Sequence, residues 1–208
     1  STLVADCTVG GKHLYLREGA SFSREHVEAL IAHEVETHIL TSENGAHQPY
    51  HLLRSGCAHY LDTQEGLAIY NECRVLSPHH EKRVGPARTI LAIAHALEHS
   101  FAETRAYMEK ELGYQPDKAL TKTLQIKRGL RDTSEAGAFS KGVVYFRGLA
   151  AIRAFVDGGG DLKRLYRGKV ALEDLETIEQ IPGLKPPLLL PFFLRPDTAK
   201  PDKKKAAK

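Results

Sequence analysis

One segment carries two histidines at an unusual separation, and this spacing constrains the fold more than any other feature of the chain. The segment reads Ala32-His-Glu-Val-Glu-Thr-His38, so the second histidine follows the first by five residues. At about 100° per residue, His33 and His38 point roughly 140° apart on a regular α-helix. Both side chains face one ion only where the helix widens to i→i+5 bonding or unwinds, and widened turns are rare outside functional sites. We therefore predict a widened turn between His33 and His38.

The same segment, together with a second motif, supplies the donor atoms of a metal site. Gln64-Glu-Gly-Leu-Ala68 follows about one helix later and provides a carboxylate at Glu65. Two imidazoles and one carboxylate are the protein ligands of a hydrolytic zinc site, which keeps a fourth position open for water. We expect Zn²⁺ as the cofactor, held by His33, His38 and Glu65. Glu34, beside the first histidine, is the expected general base.

Purely structural explanations exist for both halves of this pattern. A surface helix can carry two unrelated histidines, and Asp62-Thr-Gln-Glu65 matches a capping box, in which Glu65 bonds back to its own helix start. Gly66 favours the metal interpretation, because a glycine costs a helix about 1 kcal/mol relative to alanine and is expected where another backbone or an ion approaches. Glu72, on the same helix face as Glu65, is a candidate acceptor for a ligand histidine.

Length and periodicity predict a predominantly helical α+β fold with a zincin-like active-site helix and a small β-sheet. The chain has 208 residues, of which 42% are hydrophobic and 26% charged. A strand is expected at residues 12–17, and the segment from Pro182 is expected to be extended. Helices are expected over residues 23–40, 62–77, 86–112, 116–128, 143–155, 162–167 and 172–179. Asn44-Gly45 is expected to stop the first of them. We expect residues 1–200 to form a single metallopeptidase catalytic domain and residues 201–208 a disordered basic tail.

Charge, hydropathy and cysteine usage limit the partners and the compartment. The net charge is only +3, and no basic stripe is evident, so we expect no nucleic-acid partner. No apolar run approaches the roughly 18 residues that span a bilayer, and no signal peptide is recognised, so we expect no membrane partner. Cys7, Cys57 and Cys73 are odd in number and unclustered, which favours free thiols in a reducing, cytoplasmic compartment. His95 and His99 lie one turn apart but lack a nearby acid motif, and we interpret them as packing or surface residues.

The order of several motifs resembles that of a known family. After His33-Glu-Val-Glu-Thr-His38 come Asn44-Gly45, Gln48-Pro49, Gln64–Ala68, Lys127–Ser134, Phe139–Lys141, Val144-Tyr145, Gly168–Val170 and Glu173-Asp174. This order resembles that of the QEGLA-motif proteins, which include the microtubule-associated tubulin tyrosine carboxypeptidases (MATCAP-like enzymes). The likeness covers nearly the whole chain. Two positions depart from it: Glu36 stands where relatives commonly have glycine, and Gly142 stands where an aspartate often follows the Ser-Lys pair.

The resemblance implies a zinc metallocarboxypeptidase that removes a C-terminal residue from a protein or peptide. In the tubulin-directed members, that residue is tyrosine or another aromatic one, so tubulin is an expected substrate. The resemblance also implies that His33, His38 and Glu65 are the zinc ligands and that Glu34 is the general base.

A carboxypeptidase must bind the terminal carboxylate, because that charge distinguishes a chain end from an internal bond. Four cations in the later motifs are candidates for this contact, with Arg128 and Lys141 preferred over Lys127 and Arg131. Tyr145, in the next predicted helix, is a candidate hydrogen-bond donor to the oxyanion or to the substrate. Each of them also has the ordinary alternative of a surface charge or a core tyrosine.

Two other functions remain open at the level of sequence. The same zinc site serves an endopeptidase or an aminopeptidase equally well. Alternatively, the chain is a regulatory or scaffolding protein whose metal site is structural or vestigial. The incomplete ligand set and the adjacent Glu34 favour catalysis over a closed structural site.

Overall fold

The computed structural model describes residues 7–10 and 13–196, which form a predominantly helical body with one short β-hairpin. Strand β1 (Cys7–Gly10) runs antiparallel to β2 (His13–Leu16), and Cys7 pairs with Leu16. The strand expected at residues 12–17 is therefore present, and its partner is the strand immediately before it. The predicted basic tail lies outside the described residues.

Helices make up most of the described chain. They are α1 (Arg24–Leu30), a π-helical segment (Ile31–Ile39), α2 (Leu40–Ala46), α3 (Leu52–Ser55), α4 (Tyr60–Val75), α5 (Gly85–Ala96), α6 (Phe101–Lys110), α7 (Pro116–Lys127), α8 (Val143–Asp157) and α9 (Leu175–Glu179). Short 3₁₀ turns occupy Glu81–Arg83, Ser140–Gly142, Leu162–Tyr166, Leu172–Asp174 and Phe192–Leu194. No helix in the described ranges is both long and apolar enough to cross a bilayer.

The first long helix begins where it was predicted and ends slightly later. Ser23 caps it, since its hydroxyl accepts a hydrogen bond from the His26 amide at 3.2 Å. The pair Asn44-Gly45, which was expected to end the helix, instead lies buried inside α2. Gly45 allows α3 to approach, because a Cβ at this position would overlap the backbone carbonyl of Leu53. This pair therefore serves as a contact point between elements, and the prediction that it stops the helix was wrong.

The single helix predicted over residues 86–112 is in fact two helices, α5 and α6. The break coincides with a capping box at Ser100, whose amide donates to Glu103 Oε2 at 2.9 Å. In return the Ser100 hydroxyl accepts from the Glu103 amide at 3.3 Å. Apolar periodicity runs through this point and conceals the break, although the Ser-x-x-Glu pattern is present in the sequence.

Helices α4 and α8 cross at two glycines and form the centre of the molecule. A Cβ on Gly66 would overlap the backbone of Gly148, so neither position accommodates a side chain without a shift. The backbone whose approach was expected at Gly66 is therefore that of α8. On one side, a core cluster joins α4 and α8 to the segment at residues 162–178. A second cluster joins α5, α6 and α7.

The segment from Pro182 crosses the surface of the first long helix, as expected for an extended chain. The side-chain amide of Gln48 makes two hydrogen bonds with the backbone of this segment. It accepts from the Lys185 amide at 2.9 Å and donates to the Lys185 carbonyl at 3.0 Å. Glu36 accepts a hydrogen bond from the Phe192 amide at 2.9 Å. Glu36, one of the two departures from the family resemblance, therefore anchors the last described part of the chain.

Candidate metal centre

The irregular histidine spacing is accommodated by the π-helical segment Ile31–Ile39, which confirms the predicted widened turn. The rings of His33 and His38 lie 5.2 Å apart between centroids and are inclined by 71°. Thr37, fully buried within this segment, donates its hydroxyl to the Ala32 carbonyl five residues earlier at 2.9 Å. The wider turn thus keeps its polar groups paired while it directs both imidazoles toward the same side.

The two imidazoles converge on the carboxylate of Glu65. Glu65 Oε2 lies 3.9 Å from His33 Nε2 and 3.8 Å from His38 Nε2. One ligand atom from each residue lies within 4.8 Å of the others. Two ligands at 2.0–2.1 Å from a tetrahedral zinc ion are about 3.4 Å apart, so Glu65 Oε2 needs to approach each imidazole nitrogen by about 0.5 Å. The donor set therefore fits zinc in ligand type, and its carboxylate–imidazole separations are close to those that zinc requires.

The other ring nitrogen of each histidine faces an acceptor. His33 Nδ1 lies 3.2 Å from Glu72 Oε2, and Lys82 donates to the second oxygen of Glu72 at 2.7 Å. His38 Nδ1 lies 3.5 Å from the side-chain oxygen of Gln64. A proton on each Nδ1 leaves the Nε2 lone pair free for a metal. Glu72 thus occupies the position expected of a hydrogen-bond acceptor for a ligand histidine.

Glu65 does not cap its own helix. Helix α4 begins at Tyr60, and its N-cap is His59, which adopts the left-handed conformation with φ of 57°. Asp62 therefore lies inside the helix, where its carboxylate pairs with Arg147 of α8. Because the predicted helix start is displaced, the capping-box explanation of Glu65 is excluded.

Burial and mutual charge shift the pKa values of this cluster. Burial, aided by the nearby His33, lowers the pKa of His38 to about 4, which leaves this imidazole neutral near pH 7. Burial alone would lower the pKa of His33, but its hydrogen bond to Glu72 and the charge of Glu34 outweigh it and raise the pKa. Burial also raises the pKa of Glu65, and the charge of Glu34 adds to this effect. The carboxylate of Glu34 therefore lies close enough to interact with the other groups of the site.

A cavity of about 440 Å³ opens beside His33 and is lined by several of the predicted substrate-binding residues. Arg128, Lys141 and Tyr145 all border it. The Arg128 guanidinium lies 4.0 Å from the centroid of the Phe139 ring, a cation–π contact that orients it. Burial raises the pKa of Tyr145, with Glu65 and Glu34 contributing. The lining also includes four apolar side chains: Ile93, Met108, Ile126 and Phe139.

Two predicted cations do not reach this cavity. Lys127 is almost fully buried, and its ammonium donates to the carbonyls of Ala96, His99 and Glu135. All three of its N–H donors are therefore used within the protein. The prediction that Lys127 binds substrate was wrong, and this residue has a structural role. Arg131 is exposed on the loop after α7 and is absent from the cavity lining.

Two other lysines lie near the site and were not singled out from the sequence. Lys122 of α7 borders the cavity. Lys169 acts from another side, where its charge influences the pKa values of both Glu65 and His38. The motif Gly168–Val170 was a signal for Lys169, whereas no local pattern marks Lys122.

A known protein family matches nearly the whole of this chain, and individual relatives match most of it. Residues 1–206 match the family described as "Microtubule-associated tyrosine carboxypeptidase", abbreviated MATCAP. Putative tyrosine carboxypeptidase MATCAP2 of Mus musculus is 29% identical over 182 residues, which cover 84% of this chain and 34% of the relative. Microtubule-associated tyrosine carboxypeptidase 1 of Homo sapiens is 32% identical over 156 residues, which cover 73% of this chain and 32% of the relative. The chain thus spans about a third of the length of these relatives.

Proposed function

Because this chain belongs to the microtubule-associated tyrosine carboxypeptidase family, we propose that it is a zinc-dependent metallocarboxypeptidase. Its reaction is the hydrolysis of the last peptide bond of a protein or peptide, with release of a C-terminal tyrosine or another aromatic residue. Tubulin is the protein substrate that we propose, because relatives are named as microtubule-associated enzymes. The cytoplasm is the corresponding compartment.

The observation that carries this proposal is the convergence of His33, His38 and Glu65. Their ligand atoms lie within 4.8 Å of one another, and the Nδ1 atoms of both histidines are occupied by other side chains. Such a set matches the three protein ligands of a catalytic zinc site. We infer that the π-helical segment plays the part of the zincin helix, with one extra residue between its two histidines.

A bound zinc ion would lower the pKa of a water molecule and polarise the scissile carbonyl. Glu34 follows His33 directly, and we assign it as the base that takes the water's proton and returns it to the departing amine. Tyr145 has a raised pKa and so keeps its phenolic proton near neutral pH. We assign this phenol as a donor to the carbonyl oxygen, where negative charge develops.

The cavity beside His33 provides for the end of the substrate chain. We assign Arg128 and Lys141 to the terminal carboxylate, since both border this cavity and arginine binds carboxylates through two parallel hydrogen bonds. The apolar lining around Ile93 and Phe139 offers a surface for an aromatic ring. Together these contacts favour a free chain end with an aromatic last residue.

The decisive experiment compares one peptide as its free C-terminal acid and as its C-terminal amide, each ending in tyrosine. The zinc-loaded protein should release tyrosine from the acid and leave the amide nearly intact, as followed by mass spectrometry. The Glu34→Gln variant should retain zinc, yet lose about 10²- to 10⁴-fold in kcat, because it lacks the base.

The products also separate the alternatives. Internal fragments would identify an endopeptidase, and loss of the first residue would identify an aminopeptidase. A chain that binds no stoichiometric zinc, with equal behaviour of the wild type and Glu34→Gln, would contradict catalysis and favour a scaffold.

A further inference from the structure

The widened turn between His33 and His38 is joined to the core by three buried polar residues. Thr37 lies inside the π-helical segment, Asn71 lies on α4, and Tyr166 lies in the 3₁₀ turn that follows α8. Each of the three is at most 1% exposed. Asn71 Nδ2 donates to Thr37 Oγ1 at 2.8 Å and to Tyr166 Oη at 2.7 Å. Burial of such polar groups is unfavourable unless they are paired, so these hydrogen bonds are what makes an asparagine tolerable at this position.

Thr37 differs from other buried threonines in the carbonyl that its hydroxyl binds. The hydroxyl donates to the Ala32 carbonyl, five residues earlier, at 2.9 Å. Thr104 and Thr123, which are also fully buried in helices, donate to the carbonyl four residues earlier at 2.8 Å and 2.7 Å. The four-residue bond is the usual one for threonine in a regular helix. The Thr37 hydroxyl therefore binds a carbonyl that the widened turn brings within reach.

Asn71 favours this arrangement from outside the helix. If the turn narrowed to i→i+4 bonding, Thr37 would rotate relative to the preceding residues, and its hydroxyl would leave Asn71 Nδ2. The amide would then lose one of its two acceptors inside the core, where water does not replace it. Narrowing would also restore the roughly 140° between the directions of His33 and His38. The hydrogen bond between Asn71 and Thr37 thus stabilises the geometry in which both imidazoles face Glu65.

We propose that Asn71 is a positioning residue of the candidate metal centre, which holds the turn open through the Thr37 hydroxyl and so keeps both proposed histidine ligands on one side of the helix. This inference rests on the proposed function, because it concerns the proposed zinc ligands. Tyr166 accepts the second N–H of Asn71 and fixes the orientation of the amide. Asn71 acts on the backbone, whereas the neighbouring Glu72 acts on the ring of His33.

The test measures the zinc affinity of variants by competition with a chromophoric chelator. Thr37→Val keeps the shape of the side chain but removes its hydroxyl, and zinc affinity should fall by about 10- to 100-fold, as for other residues that support a ligand. Asn71→Leu should lose a similar amount. Because the two substitutions break the same hydrogen bond, the double variant should bind zinc about as weakly as the more affected single variant.

Further variants separate positioning from a general loss of stability. Thr104→Val removes an equally buried helix hydroxyl in α6 and should keep the wild-type zinc affinity. Thr37→Ser retains the hydroxyl and should recover most of the affinity that Thr37→Val loses. With Co²⁺ in place of zinc, the visible absorption spectrum of Thr37→Val should change in shape, because its ligands are arranged differently, whereas that of Thr104→Val should match the wild type. Should Thr37→Val fail to fold, Tyr166→Phe takes its place, since it removes only one acceptor of Asn71 and should still weaken zinc binding.

Unchanged zinc affinity in Thr37→Val or Asn71→Leu, additive losses in the double variant, or an equal loss in Thr104→Val would overturn this inference and leave the proposed function intact. If the wild type binds no zinc, the proposed function fails, and crystal structures of the zinc-free wild type and Asn71→Leu still decide the role of Asn71. Narrowing of the turn to i→i+4 bonding in the variant supports it, and an unchanged π-helical turn refutes it.

Discussion

Two histidine pairs in this chain show that sequence separation alone does not identify a metal site. His95 and His99 have the i,i+4 separation that suits one face of a regular helix, whereas His33 and His38 do not. In the structure, the His95 ring stacks on those of His99 and Tyr107, with centroids 3.8 Å and 4.2 Å apart. Helix α5 ends between the two, and His99 Nδ1 donates to the His95 carbonyl at 2.8 Å. The regularly spaced pair is therefore a packing element.

The difference between the pairs lies in their surroundings. His33 and His38 share the carboxylate of Glu65 and have separate acceptors for their Nδ1 atoms. Near the second pair, the carboxylate of Glu103 is used by the helix cap at Ser100. A metal site requires converging donors and a supporting shell, and the backbone adapts its local geometry to provide them.

The largest expected effect separates the pairs directly. His33→Ala removes one of the three proposed ligands, so zinc binding should weaken by about 10³-fold or more, and the dialysed protein should contain little zinc. His95→Ala, which disrupts only the stacked rings, should retain one zinc per chain. Metal analysis of both purified variants provides the measurement, and equal zinc content in the two would remove the distinction between the pairs.

The second effect concerns Lys127, whose ammonium donates to the backbone carbonyl of His99, one of the two stacked histidines. Lys127→Met removes the ammonium that three backbone carbonyls share, of which that of Ala96 also accepts from the Gly137 amide. We expect the free energy of unfolding to fall by about 2–4 kcal/mol. Urea denaturation measures this change, with zinc content as an independent readout that should stay constant. Lys110→Met should change stability by no more than about 0.5 kcal/mol. A variant of normal stability but weakened peptide binding would restore Lys127 to the substrate site.

The third effect tests the acceptor of His33. Removal of Glu72 in Glu72→Ala should weaken zinc binding by about 10- to 100-fold, because this carboxylate orients the ring and increases its basicity. Competition with a chromophoric chelator measures the affinity. Lys82→Met, which removes only the counter-charge of Glu72, is expected to have a smaller effect. An unchanged affinity in Glu72→Ala would show that the hydrogen bond plays no part in holding the metal.

The smallest effect is a pH dependence of the zinc-free chain. The pKa of His38 is about 4 in the folded protein, against 6.5 for an ordinary histidine. Between pH 6.5 and about 4, His38 is protonated in the unfolded state but neutral in the folded state. Lowering the pH through this range therefore favours the unfolded state, and the free energy of unfolding falls. The raised pKa of His33 acts in the opposite direction, so we expect a net loss of about 1–2 kcal/mol.

Urea denaturation at a series of pH values between 4 and 7 tests this prediction. His38→Gln removes the titrating group and should reduce the slope, because glutamine binds no proton. An identical slope in the variant would assign the pH dependence to other groups.

Much of the site could be predicted because its signals are local. The segment from His33 to His38 fixes the angle between two side chains on one helix, and this angle is sufficient to require the widened turn that the structure contains. Ser23 and Pro116 likewise mark helix starts through hydrogen bonding and backbone restriction within a few residues. Such constraints need no knowledge of the remaining chain.

The wrong predictions concern residues whose role depends on distant partners. Lys127 lies beside Arg128 in sequence, yet only Arg128 faces the cavity. The ammonium of Lys127 is held by two carbonyls at the break after α5 and by that of Glu135 in the loop after α7. Asp62 has the spacing of a helix cap but pairs with Arg147 of α8. No local pattern distinguishes these alternatives, since two of the three carbonyls bound by Lys127, and the Arg147 partner of Asp62, lie more than 25 residues away along the chain.

The sequence by itself determined which donors the site contains and that the helix carrying His33 and His38 must widen. Only the tertiary structure decided where Glu65 points and which cations border the cavity. The reason is physical: side-chain directions along one helix follow from residue spacing, whereas the contact of Glu65 with both histidines depends on how α4 packs against the first helix and, at Gly66, against α8. That packing is set by the whole core, and it converts a set of suitable residues into a site.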